Sequence, residues 1–295
     1  MIPDLLLPPD LDEVCDRALN LPASPAILPQ LLASLHPAEG TAGEIGRILR
    51  LDSALAAATL RLANSACFCA REPVVSIERA ILMLGHREIY RLAAQSVVSR
   101  WERVHYTKLP WDPGDCFRHS LCTALAAEVI AEASGGCDPE VAYTAGLVCN
   151  LGKLALAYVC ADHYPQISAR AARSGCTWSE AETAVLGFHQ IEVGARLLRA
   201  WRFSEGLARA VELQLNPAGA PAEFRPLATH LHAARYLAVT LGPGVTEGGF
   251  LFALDGAFLT AQGFSVEFLE KSLIQVQERA LRRLAEHLTH GLFKN

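Results

Sequence analysis

From Ile27 onward, apolar residues return at intervals of three and four, and no other feature of the chain limits its fold as tightly. Ile27, Leu28, Leu31, Leu32 and Leu35 follow this spacing, and Leu55, Ala58, Thr59 and Leu62 fall at i, i+3, i+4 and i+7. Such a period gathers apolar side chains on one stripe of a helix. No run of alternating β-branched residues is long enough to suggest a sheet.

Breakers and caps divide this pattern into short helices. A leader helix is expected over Leu11 to Leu19, and Leu21-Pro22-Ala23-Ser24-Pro25 ends it. Thr41 can cap the helix through Ile45, Ile48 and Leu49, and Asp52 or Ser53 the one after it. Ser76 precedes Ile77, Ala80, Ile81 and Leu84, and Gly85 stands where a left-handed C-cap is needed. Ile89, Leu92, Ala93 and Val97 continue the period. The expectation is a leader over 1–20 and a helical subdomain over 21–105.

Trp101 to Pro113 reads as a linker, because Pro110-Trp111-Asp112-Pro113-Gly114 combines breakers with a turn former. A second helical subdomain is expected over 114–240. Its first helix carries Phe117, Leu121, Ala124, Leu125 and Val129, and Asp138-Pro139 makes an N-cap and N1 pair further on. Thr177-Trp178-Ser179-Glu180 is a capping box, and Ser204 caps another helix. Pro217 to Pro226 and Gly242 to Gly249 read as loops. In a C-terminal extension over 250–295, Val266, Leu269, Leu273, Val276, Ala280 and Leu284 share one stripe. That helix is expected to pack on its own chain, with a homodimer seam as the alternative.

Composition narrows the class of function. The apolar fraction of 51% against 19% charged residues belongs to a well-packed globular chain. A net charge of −5 and a pI near 6.1 leave no basic footprint, so no nucleic-acid partner is expected. The most apolar window, Thr144 to Ala161, contains Asn150, Gly152 and Lys153 and barely reaches spanning length, so it reads as buried core, with no membrane expected. The cysteines number nine, which is odd, and the start Met1-Ile2-Pro3-Asp4 lacks the basic and apolar regions of a signal peptide. A reduced, cytoplasmic setting is expected.

Several segments in order then carry a resemblance. Leu21 to Pro25, Leu51-Asp52-Ser53-Ala54-Leu55, Leu60-Arg61-Leu62-Ala63-Asn64-Ser65-Ala66 and the Ser76-to-Gly85 helix together resemble the HDOD family, relatives of the metal-dependent HD phosphohydrolases. The resemblance implies an all-α, two-lobed architecture with a degenerate HD-type core, and a non-catalytic role in bacterial signal transduction. In that core the HD signature is altered nearly everywhere it can be placed. His119 falls at the first ligand position, Cys149-Asn150 stands for the His-Asp pair, and Arg235 takes the place of the last aspartate. Gln190 rather than His189 occupies another histidine position, and Gln214-Leu215 stands where related phosphodiesterases have His-His.

The donor chemistry of these replacements opposes a metal site. Asn offers a neutral carbonyl where aspartate gives a full charge, Cys replaces imidazole with soft sulfur, and a guanidinium repels cations. No catalytic residue, metal ligand or cofactor is therefore assigned. A partner signalling protein or a small ligand is the expected object of binding. Lys153 and Arg235 make an anion such as a nucleotide phosphate one option, against a bland pairing of Arg235 with a carboxylate. The runner-up is an atypical phosphohydrolase or nucleotide-binding protein rebuilt around His119, Cys149 and Asn150. A soft zinc set of Cys116, His119, Cys122 and Cys149 is a further alternative, weakened by the rise of about 9 Å between i and i+6.

Overall fold

Helix starts are fixed by side chains a few residues away. In the computed structural model, which describes residues 8–20, 26–34, 41–65, 68, 72–102, 111–112, 114–242 and 254–290, Asp10 accepts from the Glu13 N–H and opens α1 (Leu11–Leu19). After α2 (Ile27–Ala33), Thr41 and Glu44 close a reciprocal capping box on α3 (Ala42–Arg50). Asp52 caps α4 (Ser53–Ala63) and Ser76 caps α5 (Ile77–Leu84). Gly85 has the expected positive φ of 79°, but its ψ of 157° is extended rather than left-handed helical, which turns the chain directly into α6 (His86–Glu102). Asn64 does more than end α4: its side chain donates to the Val74 carbonyl at 2.8 Å and accepts from the Val74 N–H at 2.7 Å, pinning the approach to α5.

The second lobe is built around α7 (Asp115–Ser134), buried along most of its length. It packs against α8 (Pro139–Val148), and against α14 (Arg225–Leu241) and α16 (Val266–His290) from the end of the chain. Between these lie α9 (Leu151–Val159), α10 (Tyr164–Ser174), α11 (Trp178–Leu186), α12 (Gln190–Ala200) and α13 (Glu205–Glu212), with α15 (Gly256–Ala261) preceding α16. The fold is all-α, and the described residues contain no strand. One apolar core runs from Val14 through Leu55, Val97 and Leu125 to Val276, so both lobes share it.

Two details depart from the sequence expectation and two add to it. The apolar window over 144–161, expected as buried core, breaks at Cys149-Asn150 into α8 and α9. Pro217 to Pro226 is not a plain loop, since Pro217–Gly219 forms one 3₁₀ turn and α14 begins at Arg225 with Pro226 in its first turn, where a missing N–H costs nothing. The helix α6 runs through Trp101, so the linker begins later. The leader helix α1 packs on α9 and α12 of the second lobe, tied there by an ion pair between Asp12 and Arg196. The breaker at 21–25, Cys67, Cys69, residues 103–110 of the linker, Pro243 to Gly249 and the side chains of Leu284 and His287 lie outside the described residues.

Among the described residues the one stretch long and apolar enough to cross a membrane, Pro139–Val159, has 89% of its window buried inside the protein. On α16, Leu269, Ser272, Val276 and Ala280 face inward, whereas Val266 is exposed, so the predicted stripe turns toward α7 and α14 from its second turn onward.

Glycine explains how the signature segment packs. A Cβ on Gly152 would lie 1.9 Å from the Gln190 carbonyl oxygen and 2.5 Å from the Gly194 nitrogen, so α9 and α12 touch backbone to backbone there. A Cβ on Gly146 would lie 2.6 Å from the Ala124 Cα, which sets α8 equally close to α7. These crossings bring the α8–α9 junction against the middle of α7.

Candidate functional site: a buried polar cleft around His119

The residues that the resemblance sets at HD ligand positions lie near one another. From α7, His119 is 7% exposed and its Nδ1 has no partner within the described structure. Burial first, then the positive charges of Arg235 and Lys153, hold its pKa down at about 3, so the imidazole is neutral at physiological pH. Asn150, at the start of α9, donates through Nδ2 to the Ser120 Oγ at 3.1 Å, which commits its amide to bracing α7. The Cys149 thiol donates to the Gly146 carbonyl at 3.1 Å, and burial raises its pKa although Arg235 pulls the other way. A neutral thiol is a poor metal ligand.

Arg235, from α14, donates to the Gln214 Oε1 just beyond α13 and shares a hydrogen bond with the Cys149 side chain. Gln214 is fully buried, and its Nε2 has no partner within the described structure. The Gln214 carbonyl accepts from His232 Nδ1 at 2.8 Å, and His232 Nε2 accepts from the Asp255 N–H at 3.2 Å. That pattern fixes the neutral tautomer of His232, and burial lowers its pKa accordingly. The pairing of Arg235 with Gln214 thus links α13 to α14 through a neutral acceptor, where the sequence suggested a carboxylate.

Lys153, one turn into α9, is set into an aromatic cage. Its Nζ lies 4.6 Å from the Trp111 ring centroid and 5.4 Å from that of Trp178, and its carbonyl accepts from the Tyr164 hydroxyl at 3.3 Å. Tyr164 in turn meets both tryptophan rings, at 5.6 and 5.9 Å. Glu182 on α11 is fully buried beside this cage. Its carboxylate accepts from the Gln190 N–H at 2.9 Å, and burial pushes its pKa up to about 7 while that bond and Lys153 draw it back. Trp111, Trp178 and Glu182 went unassigned in the sequence reading. Trp178 was visible only as part of a capping box, and nothing local marks Glu182.

Other expectations resolve individually. His189 is the N-cap of α12: its Nδ1 accepts from the Ile191 N–H at 3.3 Å, and Glu192 completes the box, so it does not enter the cleft. Among the described residues no group of three or more His, Cys, Asp or Glu side chains is placed to hold a metal ion, so Cys116, His119, Cys122 and Cys149 do not form a soft site. A divalent cation also fails the fit at the former HD position. It would meet one imidazole, a neutral thiol, an amide turned toward Ser120 and a guanidinium seated where the last carboxylate would be.

The HDOD domain profile matches residues 21–217. The chain belongs to the HDOD family. Among solved structures, this HDOD chain is similar to an HDOD domain protein of unknown function from Geobacter sulfurreducens, with TM-score 0.68, 21% identity and coverage of 97% and 100% of the two chains. It is also similar to a Marinobacter aquaeolei VT8 structure named as a signal transduction protein, with TM-score 0.70 and 22% identity, covering 98% of this chain and 60% of the other. A Shewanella amazonensis SB2B structure named as a phosphohydrolase gives TM-score 0.62 and 23% identity, with 95% of each chain covered. At these identities the likeness concerns the fold. A curated uncharacterized protein of Treponema pallidum (strain Nichols) is 23% identical over 221 residues, and the match spans 72% of this chain but only 41% of that protein.

Proposed function

We propose that this HDOD chain is a non-catalytic signal-transduction module that works by binding a partner protein or small ligand. The observation that supports the reading is the guanidinium of Arg235, which the resemblance sets at the last ligand position of the HD signature and which Gln214 and Cys149 hold. A fixed positive charge there opposes a divalent ion at close range. Hydrolysis through metal-activated water would need about three to six donors around that ion. The test is metal analysis of protein purified without a polyhistidine tag, together with a phosphodiesterase assay. We expect substoichiometric metal and no turnover. Bound metal at one equivalent with turnover would instead support the rebuilt phosphohydrolase around His119, Cys149 and Asn150.

The cleft itself favours an anionic small ligand as one object of binding. Lys153 and Arg235 both bear on His119, and the unpartnered His119 Nδ1 and Gln214 Nε2 supply further polar atoms. Thermal shift with mono- and cyclic nucleotides tests this option, and a flat response across the panel removes it. A signalling-protein partner is tested by pull-down from the native cell. A second copy of the chain is tested by light scattering, since the outer face of α16 leaves Ile274 and Leu281 exposed.

A further inference from the structure

Away from the cleft, three arginines and three glutamates from four helices form one cluster, buried at Arg91, Glu128 and Glu140. Arg91 on α6 is bonded to Glu128 on α7 and, at 2.8 Å, to Glu140 on α8; Arg87 on α6 also reaches Glu140, at 2.6 Å. Arg279 on α16 lies 3.3 Å from Glu128 and 2.6 Å from Glu132. The two arginines engage opposite oxygens of Glu128, Arg91 at Oε1 and Arg279 at Oε2, and Glu128 is only 1% exposed.

Further polar contacts join α6 to the second lobe beside the shared apolar core. Tyr90 hydrogen-bonds Thr144 at 2.6 Å, Gln95 donates to the Tyr143 hydroxyl at 2.9 Å, and the Arg91 guanidinium stands 5.1 Å over the Tyr143 ring. Residues 87, 90, 91 and 95 lie on one face of α6, which forms a polar seam whose central carboxylate is shared with the C-terminal helix.

We infer that α16 acts as a strap that sets how firmly the two lobes are held, by sharing the Glu128 carboxylate with Arg91 of the seam. The cluster balances in charge only with α16 docked. Once Arg279 leaves, three carboxylates face two guanidiniums: Glu132 loses its hydrogen-bonded partner, and the buried Glu128 is left beneath α6 with Arg91 alone. A buried charge stripped of one partner destabilises its surroundings far more than an exposed pair does. Docking of α16 and docking of α6 are therefore linked, and linkage acts equally in both directions.

The experiment is hydrogen–deuterium exchange on the full chain, comparing the wild type with Arg279→Met, which keeps an unbranched stem and removes the charge. Amides of α6 are expected to exchange at least about fivefold faster, the low end of typical coupling between sites, although Arg279 binds α7. Arg91→Met should loosen α16 by a similar factor. Glu132→Gln, which removes the other partner of Arg279 and spares Glu128, should leave α6 less affected than Arg279→Met does. Should Arg279→Met fail to fold, Arg279→Lys replaces it with the same ordering expected at smaller size. Faster exchange in α16 with α6 unchanged would overturn the inference, as would an effect that runs in one direction only.

Discussion

The seam and the cleft are both buried polar clusters centred on α7, and they are satisfied in opposite ways. At the seam each charge meets an opposite one, so ionic groups from four helices are compensated in place. In the cleft the acceptor given to Arg235 is a neutral amide and His119 is kept uncharged, whereas polar atoms without a hydrogen bond occur in both regions, at Arg91, Glu128 and Glu140 of the seam as at His119, Gln214 and Glu182. The difference teaches that the seam holds the helices together through opposite charges, whereas the cleft gathers neutral polar groups around a single guanidinium.

The largest effect expected from that contrast is at Glu128. Glu128→Ala leaves the buried Arg91 with Glu140 alone and should cost about 3 kcal/mol, the low end for breaking a buried pair, read by denaturant unfolding. A loss under about 1 kcal/mol, the range of an exposed pair, would mean that the seam is not held by its charges. Gly152→Ala drives a methyl into the backbone of α12 and should cost about 3 kcal/mol, the upper end for overpacking, because helix backbone has no rotamer by which to yield. A stable, unperturbed variant would show that the glycine does not set the helix approach under the cleft.

Two titrations sharpen the cleft side of the comparison. His119 is held near 3 against an ordinary 6.5, so its contribution is complete above about pH 6.5 and is lost as the pH falls toward 3. Glu182 is raised to about 7 from an ordinary 4.5, so its contribution is complete below about pH 4.5 and is lost as the pH rises through 7. Between about pH 5 and 7 each is worth on the order of 2 kcal/mol, with opposite sign. Thermal melts of Glu182→Gln should therefore show stability rising more steeply with pH than in the wild type, and melts of His119→Gln should show the reverse. Parallel curves for all three proteins would contradict this account. The smallest effect is expected at Arg235→Met, about 1 kcal/mol, the net value of an ordinary hydrogen bond, and a loss as large as that at Glu128 would erase the distinction between the two regions.

What was legible in the sequence is what depends on near neighbours. Thr41, Ser76, Asp138, Thr177 and Ser204 all cap helices as expected, because a cap bonds within about three residues of itself. Of the positions that the resemblance singles out, the structure brings Arg235 close to both His119 and Cys149. What was not legible is long-range pairing. Arg91 finds Glu128 across 37 positions and Glu140 across 49, and Arg279 finds Glu132 across 147. No local pattern encodes those distances. Trp111 looked like part of a linker, yet it ends over Lys153, and the leader helix crosses to the lobe farther along the chain.

The touching backbones of α9 and α12 bear on how such chains are recognised. Gly152 is required by the geometry of two crossing helices whether or not any ion is bound nearby, and Lys153 beside it is housed by tryptophan rings. A glycine-lysine pair at this point in a helical chain is therefore a mark of architecture, and it can outlast hydrolysis because nothing about the crossing changes when the chemistry departs.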